Sequence, residues 1–267
     1  MKKIKVFVAG AGGKMGREIV KIVLQQEDMQ LVGCSDVRSQ GLDMGEVLGM
    51  PRLNLEISGP VTPETLRGCQ AEVFIDFTNP QSVLANAKMA LTAGVATVIG
   101  TTGLDEAEIS ELRELSLKKE VGVLIAPNFA LGAILMMRFA REAAKYFPHA
   151  EIIEMHHDQK LDAPSGTALK TAEWMAEVRK PMLQGHPNEY EKIDGARGAD
   201  FQGIHIHSVR LPGFSAHQEV IFGGNGQVLT IRHDVFSRET YLPGILLAIR
   251  RSLTSKEFVI GLENFLD

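Results

Sequence analysis

The sequence predicts a two-domain protein: a Rossmann-like, doubly wound parallel sheet of the α/β class, followed by an α+β domain with a mixed sheet. Short apolar strands alternate with helical patterns through the first half, which is typical of a parallel sheet covered on both faces. A glycine-rich turn joins the first strand to the first helix. Beyond residue 200, two of the three predicted strands, Ile204–Leu211 and Gly226–Val235, alternate in period two. We expect a first domain over 1–127, a second over 128–236, and residues 237–267 packing back onto the first.

Five apolar segments in the first half have the length and composition of buried strands. They are Ile4–Ala9, Leu31–Cys34, Val73–Phe77, Val95–Ile99 and Val121–Ala126, and helical patterns lie between them at Lys14–Gln26, Pro80–Ala93 and Glu106–Lys119. Local signals support the helix ends. Asn79 before Pro80 predicts a capped start. Asp105 with Glu108 predicts a capping box. Gly94 predicts a left-handed end.

The second half mixes helices with alternating strands. Its predicted elements are a helix over Leu131–Phe147, a strand over Glu151–His157, a helix over Thr167–Lys180, a loop over 181–203, strands over Ile204–Leu211, His217–Phe222 and Gly226–Val235, and helices over Arg238–Leu253 and Lys256–Leu266. The alternation predicts antiparallel pairing with one face in water.

Composition and charge limit the classes of partner that this protein is expected to bind. The 267 residues carry 28 basic and 33 acidic side chains, a net charge of −5, and only 6% are aromatic, which argues against a nucleic-acid partner. No apolar stretch approaches the ~18 residues of a membrane span, and the start lacks the apolar core of a secretory signal. Cys34 and Cys69 are too few for a disulfide framework. We therefore expect a cytoplasmic protein with no membrane partner.

The turn after the first strand carries candidate nucleotide contacts, namely Gly10, Ala11, Gly12, Gly13, Lys14 and Met15. Glycines there let backbone N–H groups approach a pyrophosphate at a helix N-terminus. The third glycine of the fingerprint, Gly16, comes one position late, and Met15 takes its usual place. A glycine-rich turn without a ligand is the alternative.

An aspartate follows the second predicted strand. Asp36 lies about 20 residues beyond the glycines, where an acidic residue commonly bonds the adenosine ribose hydroxyls. A turn aspartate in solvent is the other interpretation. Arg38 and Lys14 are near enough in sequence to hold a 2′-phosphate instead. The sequence favours NAD without excluding NADP.

Polar segments follow three further strands, at Asp76–Thr78, Gly100–Gly103 and Ala126–Phe129. Ligands of open parallel sheets bind outside the carboxyl ends of the strands. The candidate cofactor contacts in the last two segments are Gly100, Thr101, Thr102, Ala126, Pro127, Asn128 and Phe129. Any one of these segments alone is more often a capping loop than a site, and their joint placement makes a cofactor contact an equal alternative.

The densest polar segment runs from Glu154 to Thr167 and includes His156, His157 and Lys160. Adjacent histidines point to opposite faces if the strand continues through them. Histidine and lysine together suit an anionic substrate that must be protonated, and a helix starting at Ser165–Thr167 offers N–H groups to a carboxylate. Structural histidines and a surface lysine are the alternative.

A zinc site is the less favoured interpretation of the histidines. His156, His157, His205 and His207 lack the i, i+4 spacing of helical ligands, and no cysteine joins them. We expect no metal.

Together, these motifs resemble the dihydrodipicolinate (4-hydroxy-tetrahydrodipicolinate) reductase family over essentially the whole chain. The segment at 154–167 is far more specific than the glycine turn. The resemblance implies NADH- or NADPH-dependent reduction of 4-hydroxy-tetrahydrodipicolinate, a small dicarboxylate, to tetrahydrodipicolinate in the diaminopimelate route to lysine. Many relatives carry Glu at the position of Asp36, so the resemblance leaves the cofactor preference open.

The resemblance also implies individual roles. His156 would be a proton donor or acceptor and Lys160 a proton donor. Substrate carboxylates would contact His157, Gly166 and Thr167, and the assembly would be a homotetramer. Two rivals remain at this point: another two-domain dehydrogenase, which leaves 154–167 unexplained, and a non-catalytic dinucleotide sensor, which gives that segment no purpose.

Overall fold

The computed structural model describes residues 2–266, and its chain divides into two units. One unit runs to Ala130 and resumes at Tyr241; the other is Leu131–Thr240. The divisions thus fall three and four residues beyond the expected boundaries at 127 and 236. Residues 1 and 267 of the expected ranges lie outside the described part. Within residues 2–266, no helix has the length and hydropathy needed to cross a membrane.

The first unit is built on a six-stranded parallel sheet with the order β11-β5-β4-β3-β1-β2. Its strands are β1 (Ile4–Ala9), β2 (Met29–Ser35), β3 (Val73–Asp76), β4 (Ala96–Ile99), β5 (Val123–Ile125) and β11 (Phe258–Ile260). The parallel pairing and the helices between strands confirm the predicted α/β class. The carboxyl ends of β1 to β5 therefore meet at one edge.

Six helices accompany this sheet: α1 (Lys14–Leu24), α2 (Met44–Leu48), α3 (Pro63–Gly68), α4 (Pro80–Ala93), α5 (Glu106–Lys119) and α8 (Leu242–Thr254). The predicted bounds of α4 and α5 are confirmed. So are the Asn79 cap, the Asp105–Glu108 capping box and the left-handed Gly94. The short helices α2 and α3 were not predicted, because one or two turns are too few to establish a helical period.

The predicted helix over Lys256–Leu266 is wrong. Its Phe258–Ile260 part forms β11 and extends the sheet parallel to β5, and only Leu262–Phe265 turns as a 3-10 helix. A short apolar run fits a strand or a buried helix equally well from the sequence. The unpaired edge of β5 decides the outcome here, because its backbone groups require partners.

The second unit contains helices α6 (Leu131–Ala144) and α7 (Gly166–Ala176) and a five-stranded sheet with the order β10-β9-β6-β8-β7. The strands are β6 (His149–His156), β7 (Ala199–Phe201), β8 (Ile204–Arg210), β9 (Ala216–Gly224) and β10 (Gln227–Val235). The expected antiparallel pairing holds except between β6 and β8, which are parallel because α7 lies in the connection between them. The mixed sheet of the predicted fold class is confirmed.

One face of this sheet carries the core of the second unit. Ala150, Ile152 and Glu154 of β6 are buried on it, together with Val220 and Phe222 of β9. The four apolar side chains among them cluster with buried residues of α6 and α7. Residues two apart on a strand share a face, so His156 lies on the same side of β6 as Glu154. The opposite face is only partly buried.

Candidate functional site

The first candidate site is the turn between β1 and α1. Helix α1 begins after Gly13, which offers no capping side chain, and its first turn contains no acidic residue. The N–H groups of Lys14, Met15 and Gly16 have no partner among the described residues. Free N–H groups and the positive end of a helix attract an anion. The turn fits the pyrophosphate of a dinucleotide.

Close backbone packing explains the glycines of this turn. Gly10 has a φ of +77°, and a Cβ there would lie 2.3 Å from the carbonyl oxygen of Phe77. A Cβ on Gly16 would lie 2.0 Å from the carbonyl oxygen of Gly10. Gly12 has a different neighbour, because a Cβ there would reach Asp36 and Ser39. The late third glycine therefore serves the contact between helix and turn that the usual spacing provides.

The carboxylate of Asp36 lies against the turn. Its Oδ2 accepts the N–H of Gly12 at 3.1 Å, and its Oδ1 accepts those of Arg38 and Ser39 at 2.9 and 3.2 Å. These bonds hold the carboxylate at the end of β2, beside the glycines, where the sequence expected a ribose ligand. The Arg38 side chain is exposed, as is that of Lys14.

Asp76 joins the ends of β3 and β4 and is fully buried. Its Oδ1 accepts the hydroxyls of Thr78 and Thr101, each at 2.7 Å, and its Oδ2 accepts the amide of Asn86 at 2.9 Å. The hydroxyl of Thr101 is thus committed within the unit, so a nucleotide would meet the backbone of this turn. Thr102 beside it is exposed.

An aromatic pair completes this edge of the sheet. The rings of Phe77 and Phe129 lie 5.5 Å apart, and a Cβ on Gly100 would enter the Phe77 ring at 2.2 Å. Ala126 is buried and bonded to β4, whereas Pro127 is exposed. The Asn128 carboxamide accepts the N–H of Ala130 at 2.9 Å. The residues that the sequence singled out after β1, β2, β3, β4 and β5, five strand ends, therefore lie along one edge of the sheet.

The second candidate site is at the end of β6. His156 Nδ1 lies 2.5 Å from Oε2 of Glu154, a carboxylate that is 0% exposed. Arg210, at the end of β8, donates two hydrogen bonds to the same carboxylate, from Nη1 at 2.9 Å and from Nη2 at 2.7 Å. Burial alone raises the pKa of Glu154, but the bonds from His156 and Arg210 outweigh it and lower that pKa to about 2. The carboxylate stays ionised and accepts only.

The start of α7 lies beside this cluster. Ser165 caps the helix by accepting the N–H of Ala168, and its own N–H donates to Oε1 of Glu154 at 3.2 Å. The N–H groups of Gly166 and Thr167 have no partner among the described residues. A Cβ on Gly166 would meet nothing within 4 Å, so the helix start is open to a ligand. This is the chemistry of a carboxylate site.

Lys160 lies in the loop between β6 and α7. Its Nζ donates to Oδ1 of Asp162 at 2.6 Å, and its side chain is 21% exposed. Hydrogen bonding from Lys160 lowers the pKa of Asp162 below its usual value. Strand β6 ends at His156, so His157 lies beyond it and is exposed rather than on the opposite face of the strand.

The other two histidines of the zinc interpretation lie in different surroundings, and the buried Nδ1 of His205 has no hydrogen-bond partner among the described residues. His207 Nε2 lies 2.8 Å from Glu151, a carboxylate that also pairs with Arg197 at 2.6 Å. In the described part of the chain, no three His, Cys, Asp or Glu side chains are grouped as metal ligands would be.

Two features of the second site were not predicted from the sequence. One is the pairing of Glu154 with His156, and the other is that Arg210 belongs to the site. Glu154 stood within the polar segment, two positions before His156, and that spacing alone places both on one strand face. Arg210 had no such signal. It is 56 positions away from Glu154 and reaches it because β8 pairs with β6 in the register that puts Arg210 opposite His156.

Comparison with protein families gives two matches that together span nearly the whole chain. Residues 4–129 match the model described as dihydrodipicolinate reductase, N-terminus, and residues 132–266 match the C-terminus model. The matched segments change over close to where the structure divides into two units.

Curated relatives agree with that match. A 4-hydroxy-tetrahydrodipicolinate reductase of Desulfitobacterium hafniense (strain DSM 10664 / DCB-2) is 70% identical over 267 residues and 100% of both chains. One from Syntrophomonas wolfei is 52% identical over 99% of both chains. Among solved structures, a dipicolinate-bound dihydrodipicolinate reductase from Paenisporosarcina sp. TG-14 is 47% identical, with a TM-score of 0.88 over 99% of this chain and 100% of that one.

Proposed function

The chain belongs to the dihydrodipicolinate reductase family of pyridine-nucleotide reductases, and we propose how its residues divide that work. The first unit binds NADH or NADPH. The second binds 4-hydroxy-tetrahydrodipicolinate, the substrate in the names of its curated relatives, and supplies the protons. The product is tetrahydrodipicolinate, an intermediate of the diaminopimelate route to lysine.

The observation that carries the assignment is the cluster at the end of β6. One short stretch of chain, residues 156–167, contains a histidine whose Nδ1 is bonded to Glu154, a lysine, and a helix start with free N–H groups. This set supplies proton carriers and a carboxylate receptor together. A nucleotide sensor has no use for it, and a dehydrogenase of another substrate does not require it.

A reduced pyridine nucleotide, when bound, supplies a hydride. The uncapped start of α1 and the glycines of its turn would hold the pyrophosphate, and Asp36 would accept from the ribose. The Phe77–Phe129 pair and the backbone around Gly100 and Ala126 would form an apolar wall for the nicotinamide side.

The reaction balances as the substrate plus a hydride and a proton giving the product and water. The hydroxyl at C4 of the ring takes a proton and leaves as water while the neighbouring ring carbon loses a proton, which makes the ring conjugated. C4 then accepts the hydride and the neighbouring carbon takes a proton back, so one proton is consumed in total. His156 Nε2 is bonded to none of the described residues, so this nitrogen is available to give or take a proton. The Lys160 cation stabilises charge that shifts during transfer and can protonate the leaving hydroxyl.

The two substrate carboxylates have separate receptors in this proposal. The N–H groups of Gly166 and Thr167 bind one, as helix starts bind anions. The exposed imidazole of His157 contacts the other.

The direct test is loss of NADH absorbance with purified protein, pyruvate, aspartate semialdehyde and the upstream synthase, which makes the substrate in place. Oxidation that requires all three additions supports the proposal. NADH that binds without turnover refutes it. Lys160→Ala and His156→Gln should each lower kcat by at least about a hundredfold, the usual contribution of a positioned proton carrier. An unchanged kcat in either variant would mean that the substituted residue does not transfer a proton.

Cofactor choice is tested at Asp36. Asp36→Ala should weaken NADH more than NADPH, because the 2′-hydroxyl that the carboxylate would accept from is phosphorylated in NADPH. Equal losses would remove Asp36 from the ribose site.

We also propose a homotetramer in the cytoplasm. Ile153, Met155 and Ile221 lie on the open face of the mixed sheet and are only partly buried, which suits contact with another copy. Both cysteines are free thiols, as in a reducing compartment. Light scattering should give four times the chain mass of 29.2 kDa. A monomer at micromolar concentration would refute the tetramer.

A further inference from the structure

On the mixed sheet of the second unit, a carboxylate meets both a histidine and an arginine in three clusters within the described residues. The carboxylates are those of Glu154, Glu151 and Asp234. Glu154 differs from the other two in burial, with a side chain that is 0% exposed against 31% and 27%. A buried ion pair brings a large desolvation cost and little net stability, so packing alone is a weak reason for its place there.

The bonds of Glu154 determine where the proton of His156 lies. Oε1 accepts from Arg210 Nη2 at 2.7 Å and from the N–H of Ser165 at 3.2 Å. Oε2 accepts from Arg210 Nη1 at 2.9 Å and faces His156 Nδ1 at 2.5 Å. Because an ionised carboxylate has no proton to give, Nδ1 must be the donor. In the neutral imidazole, Nε2 is then the nitrogen with the free lone pair.

Arg210 extends the same arrangement to the loop that carries Lys160. Its Nη2 also donates to the carbonyl oxygen of Asp162 at 2.8 Å, and the carboxylate of Asp162 accepts from Lys160. The Glu154–Arg210 pair therefore contacts His156, the start of α7 and the loop between them, three parts of the proposed substrate site.

We propose that Glu154 and Arg210 are positioning residues for proton transfer, which hold His156 with Nδ1 protonated and Nε2 free to exchange the proton. This inference rests on the proposed function for its consequence, but the tautomer it assigns to His156 is measurable without turnover. A merely structural ion pair joining β6 to β8 makes no such assignment.

The first test is the ¹⁵N NMR spectrum of the imidazoles above pH 8, with His156 assigned by its loss in His156→Gln. In the wild type the unprotonated nitrogen should be Nε2. Apart from His156, two donors bond Oε1, Arg210 Nη2 and the Ser165 N–H, whereas only Arg210 Nη1 bonds Oε2. In Glu154→Gln the amide oxygen should therefore take the Oε1 place and the amide nitrogen the Oε2 place, opposite Nδ1. That nitrogen donates, so the unprotonated nitrogen should become Nδ1.

The second test is kinetic and uses a matched control. Glu154→Gln should lower kcat by at least a hundredfold, because a histidine in the wrong tautomer cannot exchange its proton at Nε2. The dissociation constant for NADH should stay within twofold. The control is Glu151→Gln. Glu151 lies on β6 like Glu154, and its carboxylate meets His207 and Arg197 in the analogous cluster. The kcat of this variant should stay within threefold of the wild-type value.

A failure of the positioning role can be distinguished from a failure of the proposed function. Turnover by the wild type with an unchanged kcat in Glu154→Gln, or an equal loss in Glu151→Gln, overturns the positioning role and leaves the reductase assignment intact. An unchanged tautomer in Glu154→Gln overturns it even if the wild type lacks activity. If Glu154→Gln does not fold, Glu154→Asp keeps the charge opposite Arg210 and withdraws the carboxylate by about 1.5 Å. A wild-type kcat in that variant also overturns the proposal.

Discussion

Replacing Gly16 with alanine probes the nucleotide turn directly, because it adds one methyl group where the backbone of α1 packs closely against the turn. The new Cβ would lie 2.0 Å from the carbonyl oxygen of Gly10 and 2.7 Å from the Cα of Ala11. Ordinary contact begins near 3.4 Å, so helix and turn must separate by about 1.4 Å. Both neighbours are backbone atoms, and no side-chain rotation relieves the clash.

A displacement of that size removes hydrogen bonds to the pyrophosphate, because a bond of about 2.9 Å lengthens beyond 4 Å. Each such bond to a charged group contributes about 1.5–3 kcal/mol. Loss of a single one weakens binding about tenfold to a hundredfold. Overpacking should also lower the free energy of unfolding by about 1–3 kcal/mol, less the ~0.5–1 kcal/mol that alanine gains over glycine in a helix.

The assay is titration of NADH fluorescence, with urea unfolding run beside it. Gly68→Ala is the matched control, because Gly68 is helical and a Cβ there meets nothing within 4 Å. That variant should bind NADH normally and be slightly more stable. Dipicolinate, the ligand of the Paenisporosarcina relative, is an analogue of the dicarboxylate substrate that we propose for the second unit, and it should bind Gly16→Ala as it binds the wild type. A normal NADH affinity in Gly16→Ala would refute the reasoning, as would an equal loss in Gly68→Ala.

Three further predictions concern stability and reactivity. Asp105→Ala removes both bonds of the capping box with Glu108 and should lower the free energy of unfolding by about 1 kcal/mol in urea, whereas no change would mean that the box forms without stabilising α5. Burial raises the pKa of the Cys34 thiol from 9.0 to about 12. In a Cys69→Ser variant at pH 8, the Cys34 thiol of the folded protein should therefore react with a disulfide reagent roughly a thousandfold more slowly than that of the unfolded protein. Because the pKa of Glu154 lies at about 2 when folded and ordinarily at 4.5, its stabilising contribution is complete above pH 4.5 and is lost as the pH falls towards 2. Acid unfolding of Glu154→Gln should lack that part of the pH dependence, and an identical profile would contradict the low pKa.

Local rules were sufficient for much of the first unit. The proline after Asn79, the capping box at Asp105 and the left-handed Gly94 each act within four residues of chain. The ends they specify therefore do not depend on what the helix packs against. The same holds for the backbone of the glycine turn and for the uncapped start of α1 beside it.

Tertiary structure decided what depended on distant partners. Phe258–Ile260 is a strand because β5 presents an open edge, a condition that no residue near 258 encodes. Asp76 and the Thr101 hydroxyl are committed to each other across two strand ends, so residues that looked like cofactor ligands serve the scaffold as well.

The sequence by itself determined the two-domain α/β architecture, the glycine turn and the segment of His156 and Lys160, because periodicity, helix capping and backbone freedom are local properties. Only the folded chain determined that Arg210 meets Glu154 and that His156 thereby has a fixed donor nitrogen. Strand register brings residues 56 positions apart into contact, and that register depends on every side chain packed beneath the sheet.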